Sequence, residues 1–256
     1  YLDLYGGHAV ISIGHTHPHY VERITAQLNK VGFYSNFIKI PLQEELAEKL
    51  EKVSGCQDYS LFLCNSGAEA NENALKLASF HTGKSRVIYF ENAFHGRTSG
   101  VVAVTDNEAI KAPFNKDHQV TKLAFEDVSG LERELQKNDV AAVIFEVIQG
   151  VGGLDEASSE FYKSIEDLCK KYNALVIADE VQTGLMRSGE MWCIDTYGVI
   201  PDMLVTGKGI SGGIYPISVV VANERSAAWL KEDGFGHIST GGGAELGCIV
   251  ALKVLE

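Results

Sequence analysis

Short apolar runs alternate with amphipathic stretches from about residue 59 onward, and this alternation constrains the fold more than any other feature. Runs that are apolar on both faces are typical of strands in a central, mostly parallel sheet covered by helices. The stretches at 68–82, 128–137 and 160–172 have the pattern of helices. We therefore predict an α/β layered domain. The apolar runs are LFL (61–63), VIYF (87–90), AAVIFEV (141–147), ALVIA (174–178), MLVT (203–206) and ISVVVA (217–222).

The first 55 residues follow a different pattern. We expect one or two short strands, then helices near 18–29 and 41–54, each opened by a proline as the first helical turn tolerates. We interpret residues 1–55 as an arm packed on a core domain at 56–256. The sequence begins at Tyr1 without a methionine and ends at Glu256 within an apolar pattern typical of a helix in progress. We therefore expect an incomplete polypeptide.

Composition narrows the class of partner. The 256 residues are 45% hydrophobic and 22% charged, with a formal net charge of −12. This charge disfavours binding to nucleic acid or anionic lipid, because both need clustered Lys and Arg. No apolar run approaches the ~20 residues that span a bilayer, and the five cysteines lack CxxC spacing. We expect a soluble, cytoplasmic protein with a small-molecule partner and with neither disulfides nor a zinc site.

The segment NSGAEAN at 65–71 is a strand-to-helix turn in which Ser66 and Gly67 precede a helix that begins at Ala68. A helix N-terminus offers free N–H groups and the positive end of the dipole, which together bind phosphate. Ser66 could equally be only an N-cap, with Glu69 completing a capping box. On this segment alone both interpretations remain open.

Two further strand ends carry candidate chemistry. The run ALVIADEVQTG ends in Asp179 and Glu180, where parallel sheets bind ligands; magnesium binding and a solvated strand end are the alternatives. In MLVTGKGISGG, Lys208 follows a strand and stands among glycines without the spacing of a Walker A loop. A desolvated lysine of this kind can form a Schiff base with a carbonyl, although a lone lysine in a glycine turn is more often a surface residue.

Three loops are weaker candidates. AFHGRT at 93–98 contains an arginine whose planar fork suits a carboxylate, and HISTGGGAELG at 237–247 is a second candidate phosphate cradle. Either could be an ordinary loop. The alternating histidines of GHTHPH share a face only on an extended chain, and Pro18 interrupts that pattern, so we predict no metal site there. These histidines are His15, His17 and His19.

These segments, taken together and in order, resemble the class III aminotransferases, which are pyridoxal-phosphate enzymes of fold type I. The resemblance runs from YLDLYGGHAVISIGHTHP to GCIVALKVLE, effectively the whole chain. The segments GFYSN, YSLFLCNSGAEANENALKLASFHTG and FHGRT are most similar to acetylornithine and succinylornithine aminotransferases. The resemblance implies that residues 56–256 are the large, cofactor-binding domain of such an enzyme, without its C-terminal small domain.

The resemblance also implies a role for individual residues. Lys208 would carry the cofactor as a Schiff base and move the substrate proton, and Asp179 would keep the pyridine nitrogen protonated. Arg97 and Glu146 would bind substrate. Thr240 would reach the phosphate in the neighbouring subunit of a homodimer. The remaining cofactor contacts would be Ser66, Gly67 and Ala68 at the phosphate, Phe94 and Val181 on the two ring faces, and Gln182 at the ring hydroxyl oxygen.

The family motifs are not all intact. EVIQGVGG has Val147 where proline is common and Val151 where a second glutamate is common, and STGGGAELGC has Gly241 in place of an aromatic residue. The function implied is transfer of an amino group from the terminal amine of an (acyl)ornithine-like donor to a 2-oxo acid. The alternatives are an aminomutase or amine lyase of the same fold, and a chain that binds the cofactor without catalysis.

Overall fold

The computed structural model describes residues 1–232 and 237–256 and places seven strands in one central sheet. A separate two-stranded hairpin follows the fourth strand. The strands are β1 (Ser60–Cys64), β2 (Arg86–Phe90), β3 (Val120–Leu123), β4 (Val140–Glu146), β5 (Ile148–Gln149), β6 (Asp155–Glu156), β7 (Leu175–Asp179), β8 (Met203–Thr206) and β9 (Ser218–Ala222).

The central sheet has the order β1-β9-β8-β7-β4-β2-β3 and is mostly parallel, as predicted. Only β9 runs against its neighbours, pairing antiparallel with both β1 and β8. Glu146 at the end of β4 pairs in register with Asp179 at the end of β7, and Asp179 pairs with Val205 on β8. The carboxyl ends of these adjacent strands therefore meet at one edge of the sheet, where open α/β sheets bind ligands.

Helices connect the strands, and their boundaries follow local capping. Ser66 and Ser158 accept hydrogen bonds from the first turns of their helices, while Gly55 and Gly83 end helices in the left-handed conformation. The helices are α1 (Gly6–Ala9), α2 (Pro18–Leu28), α3 (Pro41–Ser54), α4 (Gly67–Thr82), α5 (Ser99–Ala103), α6 (Val128–Leu135), α7 (Ser159–Tyr172), α8 (Glu224–Ala227) and α9 (Glu245–Val254).

Both faces of the sheet are buried. On β2, Ile88 and Phe90 face one hydrophobic cluster while Val87 and Tyr89 face the other, because successive strand residues point to opposite sides. The first cluster also holds buried residues of α2, α3, α6, α7 and α9, and the second holds those of α4 and α5. The continuous apolar runs in the sequence follow from this two-sided burial.

The structure confirms most predicted elements and corrects two. Residues 1–55 contain no strand: the first element is the single turn Gly6–Ala9, whose four residues all have positive φ, so this segment cannot extend. The prediction of short strands there was wrong. Strand β3 was not predicted, because VTKL is short and carries the exposed Lys122 at the sheet's edge.

Candidate active site

A cavity of about 440 Å³ opens at the carboxyl edge of the sheet. Nine of the residues predicted from the sequence line it, although they come from five separate segments of the chain. Glu146 ends β4, Asp179 ends β7 and Lys208 follows β8, so the sheet itself brings these three together. The nine are Gly67, Ala68, Phe94, Arg97, Glu146, Asp179, Val181, Gln182 and Lys208.

The start of α4 forms one wall of this cavity. Ser66 caps the helix, its Oγ accepting from the N–H of Glu69 at 3.2 Å, while the N–H groups of Gly67 and Ala68 lie in the first turn, where no intrahelical acceptor exists. A Cβ on Gly67 would lie 2.7 Å from Val181 Cγ1, so only glycine allows this approach. The Glu69 carboxylate accepts from the Asn65 N–H rather than from the Ser66 N–H. The predicted capping box therefore lacks its second hydrogen bond, the one from the N-cap N–H to the glutamate side chain.

Asp179 is held by two side chains that were absent from the predicted site. Its Oδ2 accepts from Asn71 Nδ2 at 2.7 Å and lies 2.8 Å from His95 Nδ1, and its Oδ1 accepts from the Val181 N–H at 3.1 Å. Asp179 is only 4% exposed. Asn71 stands four residues after Gly67 on the same helix face, a spacing that could have identified it.

Lys208 reaches into the cavity from the turn after β8. Its Nζ donates to Gln182 Oε1 at 2.7 Å. Burial lowers the pKa of Lys208, and the nearby Asp179 and Glu146 partly oppose this effect. Lys208 is therefore a partly desolvated amine in a cleft, and the alternative of a surface lysine is wrong.

Glu146 is a buried carboxyl group beside the same cavity. Its Oε1 accepts from the Phe94 N–H at 2.8 Å and its Oε2 from the Gly150 N–H at 3.1 Å. Burial raises the pKa of Glu146 to about 7, and these two backbone donors only partly offset that effect. Phe94 is thereby fixed at the cavity wall through its own backbone.

Arg97 lies at the mouth of the cavity. Its side chain is exposed, and within the described residues it makes no hydrogen bond or ion pair. A guanidinium left without a protein partner at a cavity mouth is available to an anionic ligand.

Ser66 and Thr240 lie outside the main cavity. Ser66 lines an adjoining cavity of about 310 Å³, which shares Gly67 and Lys208 with the first. Thr240 is exposed and lines neither, and its carbonyl accepts from Asn36 Nδ2 at 3.2 Å. One chain by itself therefore does not bring Thr240 to the site.

The structure does not favour a metal at the paired acids of β7. Glu180 is fully buried, accepts from the Ile194 N–H at 2.8 Å and is hydrogen-bonded to Thr183. Both of its oxygens are therefore engaged within the protein and do not form a metal site together with Asp179. The solvated strand end is also wrong, since both carboxylates are buried. No group of three His, Cys, Asp or Glu in the described ranges is arranged for a metal ion.

Two histidines of the GHTHPH segment lie beside acidic side chains. His15 lies 2.8 Å from Asp3 and His19 lies 2.9 Å from Glu256, and both pairs are exposed.

Across residues 1–232 and 237–256, no helix is long and apolar enough to cross a membrane.

Comparison with known proteins places this geometry in a family. The class-III aminotransferase family model matches residues 1–256. The chain is 42% identical to an acetylornithine aminotransferase of Archaeoglobus fulgidus over 257 residues, covering all of this chain and 67% of that protein. It is 38% identical to a [LysW]-aminoadipate semialdehyde/glutamate semialdehyde transaminase of Sulfolobus acidocaldarius, covering 100% of this chain and 66% of the relative.

The fold agrees with the sequence relatives. The structure of ornithine aminotransferase from Toxoplasma gondii, described with partial occupancy of PLP at its active site, superposes with a TM-score of 0.92 at 30% identity. That match covers 100% of this chain and 62% of the solved one. The chain spans about 60 to 67% of the length of the curated relatives it matches.

Proposed function

The chain belongs to the class-III aminotransferases, and we propose that it transfers an amino group from the terminal amine of an (acyl)ornithine-like donor to a 2-oxo acid. The cofactor indicated by the family and its solved relatives is pyridoxal phosphate. The observation that carries the proposal is the convergence of Lys208, Gln182 and Asp179 on one cavity. A relative named acetylornithine aminotransferase supports a donor of this kind, and the semialdehydes named for another relative are the carbonyl compounds that terminal amines become on losing the amino group.

The residues of the cavity fit this cofactor. A phosphate needs N–H donors, and the first turn of α4 presents those of Gly67 and Ala68 without acceptors. A pyridine nitrogen that must stay protonated needs a carboxylate, and Asp179 is buried and oriented by two other side chains. We assign Ser66, Gly67 and Ala68 to the phosphate, Phe94 and Val181 to the ring faces, and Gln182 to the ring hydroxyl oxygen.

The chemistry then divides between cofactor and protein. When bound, pyridoxal phosphate supplies an electron sink that withdraws charge from the substrate carbon. Asp179 would hold a proton at the ring nitrogen. Lys208 would hold the cofactor through its amine, and as a free amine it would be the base that moves the substrate proton. Its lowered pKa raises the fraction that is neutral and able to act in both steps.

Substrate recognition is assigned to the mouth of the cavity. Arg97 offers a planar fork to the substrate carboxylate. Glu146, which lines the cavity, would contact the bound substrate from the sheet side. Val151 is 63% exposed and stands where the family resemblance implies a second glutamate, so this chain lacks that charge.

We further propose an organisation for the chain. Residues 1–55 form an arm on a cofactor-binding domain at 56–256, which the packing of α2 and α3 against α9 supports. The exposed Thr240 is assigned to the site of a second subunit in a homodimer. Five free cysteines support a reducing, cytoplasmic environment.

The decisive experiment is the absorbance of the protein with pyridoxal phosphate, before and after borohydride. We expect a band near roughly 420 nm that borohydride removes, with the reduced cofactor mapped to Lys208 by mass spectrometry. Lys208→Ala should lose the band. A band that persists in this variant would show that another group holds the cofactor and would reject the assignment.

Product analysis separates the alternatives. A transaminase consumes the donor amine only when a 2-oxo acid is supplied, so acylated ornithine with pyruvate, glyoxylate or 2-oxoglutarate should form a new amino acid. Turnover without any oxo acid would favour the aminomutase or amine lyase. A trapped cofactor with no turnover on any pair would favour a cofactor-binding chain that does not catalyse.

A further inference from the structure

The turn that carries Lys208 has a strained backbone. Lys208 has a φ of +32°, in the left-handed region that residues with a side chain rarely adopt, and it opens a tight turn over Lys208–Ser211. A residue held in this conformation is destabilised, and it persists only where the surrounding structure holds it in place. Some part of the protein must therefore hold this turn in place.

Tyr20 on α2 contacts the turn. Its hydroxyl donates to the Ser211 carbonyl at 2.7 Å, and the Ser211 hydroxyl donates to the Lys208 carbonyl at 2.7 Å. Tyr20 is 2% exposed, and burial raises its pKa to about 12, so the hydroxyl remains a donor at neutral pH. A Cβ on Gly212 would lie 2.8 Å from the Tyr20 oxygen, which shows how closely the ring is pressed on the turn.

Residues before α2 also contact the turn. The Ser12 hydroxyl donates to the Gly209 carbonyl at 2.6 Å. A Cβ on Gly213 would lie 2.0 Å from Ile11 Cδ1, so the segment at 11–12 packs directly on the end of the turn. Val10 lines the same adjoining cavity as Lys208.

We propose that Tyr20, acting through Ser211, and Ser12 are positioning residues that hold the backbone of the Lys208 turn in its strained form. Neither touches the cavity of the proposed cofactor; both act on carbonyl groups of the turn that carries the lysine. The N-terminal segment thus has a function in the site in addition to its packing role. This assignment rests on the proposed function for its effect on the cofactor, but its effect on the turn does not.

The test compares Tyr20→Phe with Tyr59→Phe. The two tyrosines are matched, since the Tyr59 hydroxyl also donates to a backbone carbonyl, that of Pro201 at 3.1 Å, away from the cavity. Amide hydrogen exchange of peptides covering residues 206–214 is measured first in the protein without cofactor. The visible circular dichroism of the lysine-bound cofactor and its rate of release are then measured in the loaded protein.

We expect Tyr20→Phe to speed exchange in this turn and release of the cofactor by about fivefold each, the factor that one net hydrogen bond supplies. The visible circular dichroism should weaken, and Tyr59→Phe should match the wild type in all three measurements. Ser12→Ala, an exposed change that leaves the core untouched, should act in the same direction. Wild-type exchange and circular dichroism in both Tyr20→Phe and Ser12→Ala would overturn the proposal. A wild-type protein with no borohydride-sensitive band would instead reject the proposed function, while the exchange measurement would still decide the positioning role.

Discussion

At the scale of single residues, the site is built from titratable groups with different environments. Asp179 accepts hydrogen bonds from Asn71 and from the backbone of Val181, and its Oδ2 also lies 2.8 Å from His95 Nδ1. Glu146, one strand away, has only two backbone donors, and its pKa rises to about 7. The two neighbouring carboxyl groups therefore have different hydrogen-bonding environments.

Glu146 makes stability depend on pH in a predictable direction. Because its pKa in the folded protein lies above the value of 4.5 for an unperturbed glutamate, the folded state binds more protons between these values and stability falls as pH rises from about 4.5 through 7. The expected loss is on the order of 3 kcal/mol. Urea unfolding of the cofactor-free protein at pH 5 and pH 8 measures it.

Glu146→Gln removes this titration and keeps the shape of the side chain. We expect the variant to gain stability relative to wild type between pH 5 and pH 8, beyond any constant offset from the altered hydrogen bonds to Phe94 and Gly150. A difference between the two proteins that stays constant with pH would contradict the raised pKa.

At the scale of elements, Ser66 at the start of α4 is a helix cap to which we assign a second, phosphate-binding role. Ser66 caps the helix, and the same turn presents the free N–H groups assigned to the phosphate. Ser158 caps α7 in the same way, accepting from the Phe161 N–H, but lies outside the cavity. Comparing the two serines therefore distinguishes the effect of losing a helix cap from the effect of losing the proposed phosphate contact.

Ser66→Ala and Ser158→Ala should each lower the free energy of unfolding by about 1 kcal/mol, the usual cost of losing a cap. Only Ser66→Ala should also weaken binding of pyridoxal phosphate, by roughly tenfold or more, because a hydrogen bond to a charged phosphate is lost. Thermal unfolding and a fluorescence titration measure the two effects. Equal affinities in both variants would leave Ser66 with the capping role alone.

At the scale of the whole molecule, the exposed Thr240 tests the proposed assembly. It lines no part of the cavity in its own chain, yet the resemblance assigns it to a phosphate. A homodimer resolves this, since each site would then take Lys208 from one subunit and Thr240 from the other.

Mixing two defective variants provides the measurement. Lys208→Ala alone should trap no cofactor, and Thr240→Ala alone should bind it weakly. Subunits exchanged between them should regenerate one intact site per hybrid dimer, and tight trapping should reappear on the Lys208 of the Thr240→Ala subunit. Hybrids confirmed by mass spectrometry that trap no better than the Thr240→Ala protein would exclude a shared site.

Much of the fold follows from local pattern. Every apolar run named from the sequence overlaps a strand, and the helices at 67–82, 128–135 and 159–172 agree with the predicted ranges within one residue, except at the end of the second, which differs by two. Strand β3 was missed because edge strands need fewer apolar residues. The turn at Gly6–Ala9 was misassigned because a left-handed backbone leaves no periodic signal in the sequence.

The sequence by itself determined the fold class, the candidate lysine and the strand-end carboxylates. Continuous apolar runs and glycine-containing turns are patterns of residues that are close in the sequence, so they can be recognised without the tertiary structure. Only the tertiary structure decided that Asn71 and His95 hold Asp179, that Glu180 is a buried structural carboxyl, and that Tyr20 supports the turn of Lys208. These contacts join residues from 84 to 191 positions apart, except for Glu180. No local pattern encodes such contacts, since they exist only once the sheet has brought its strand ends together.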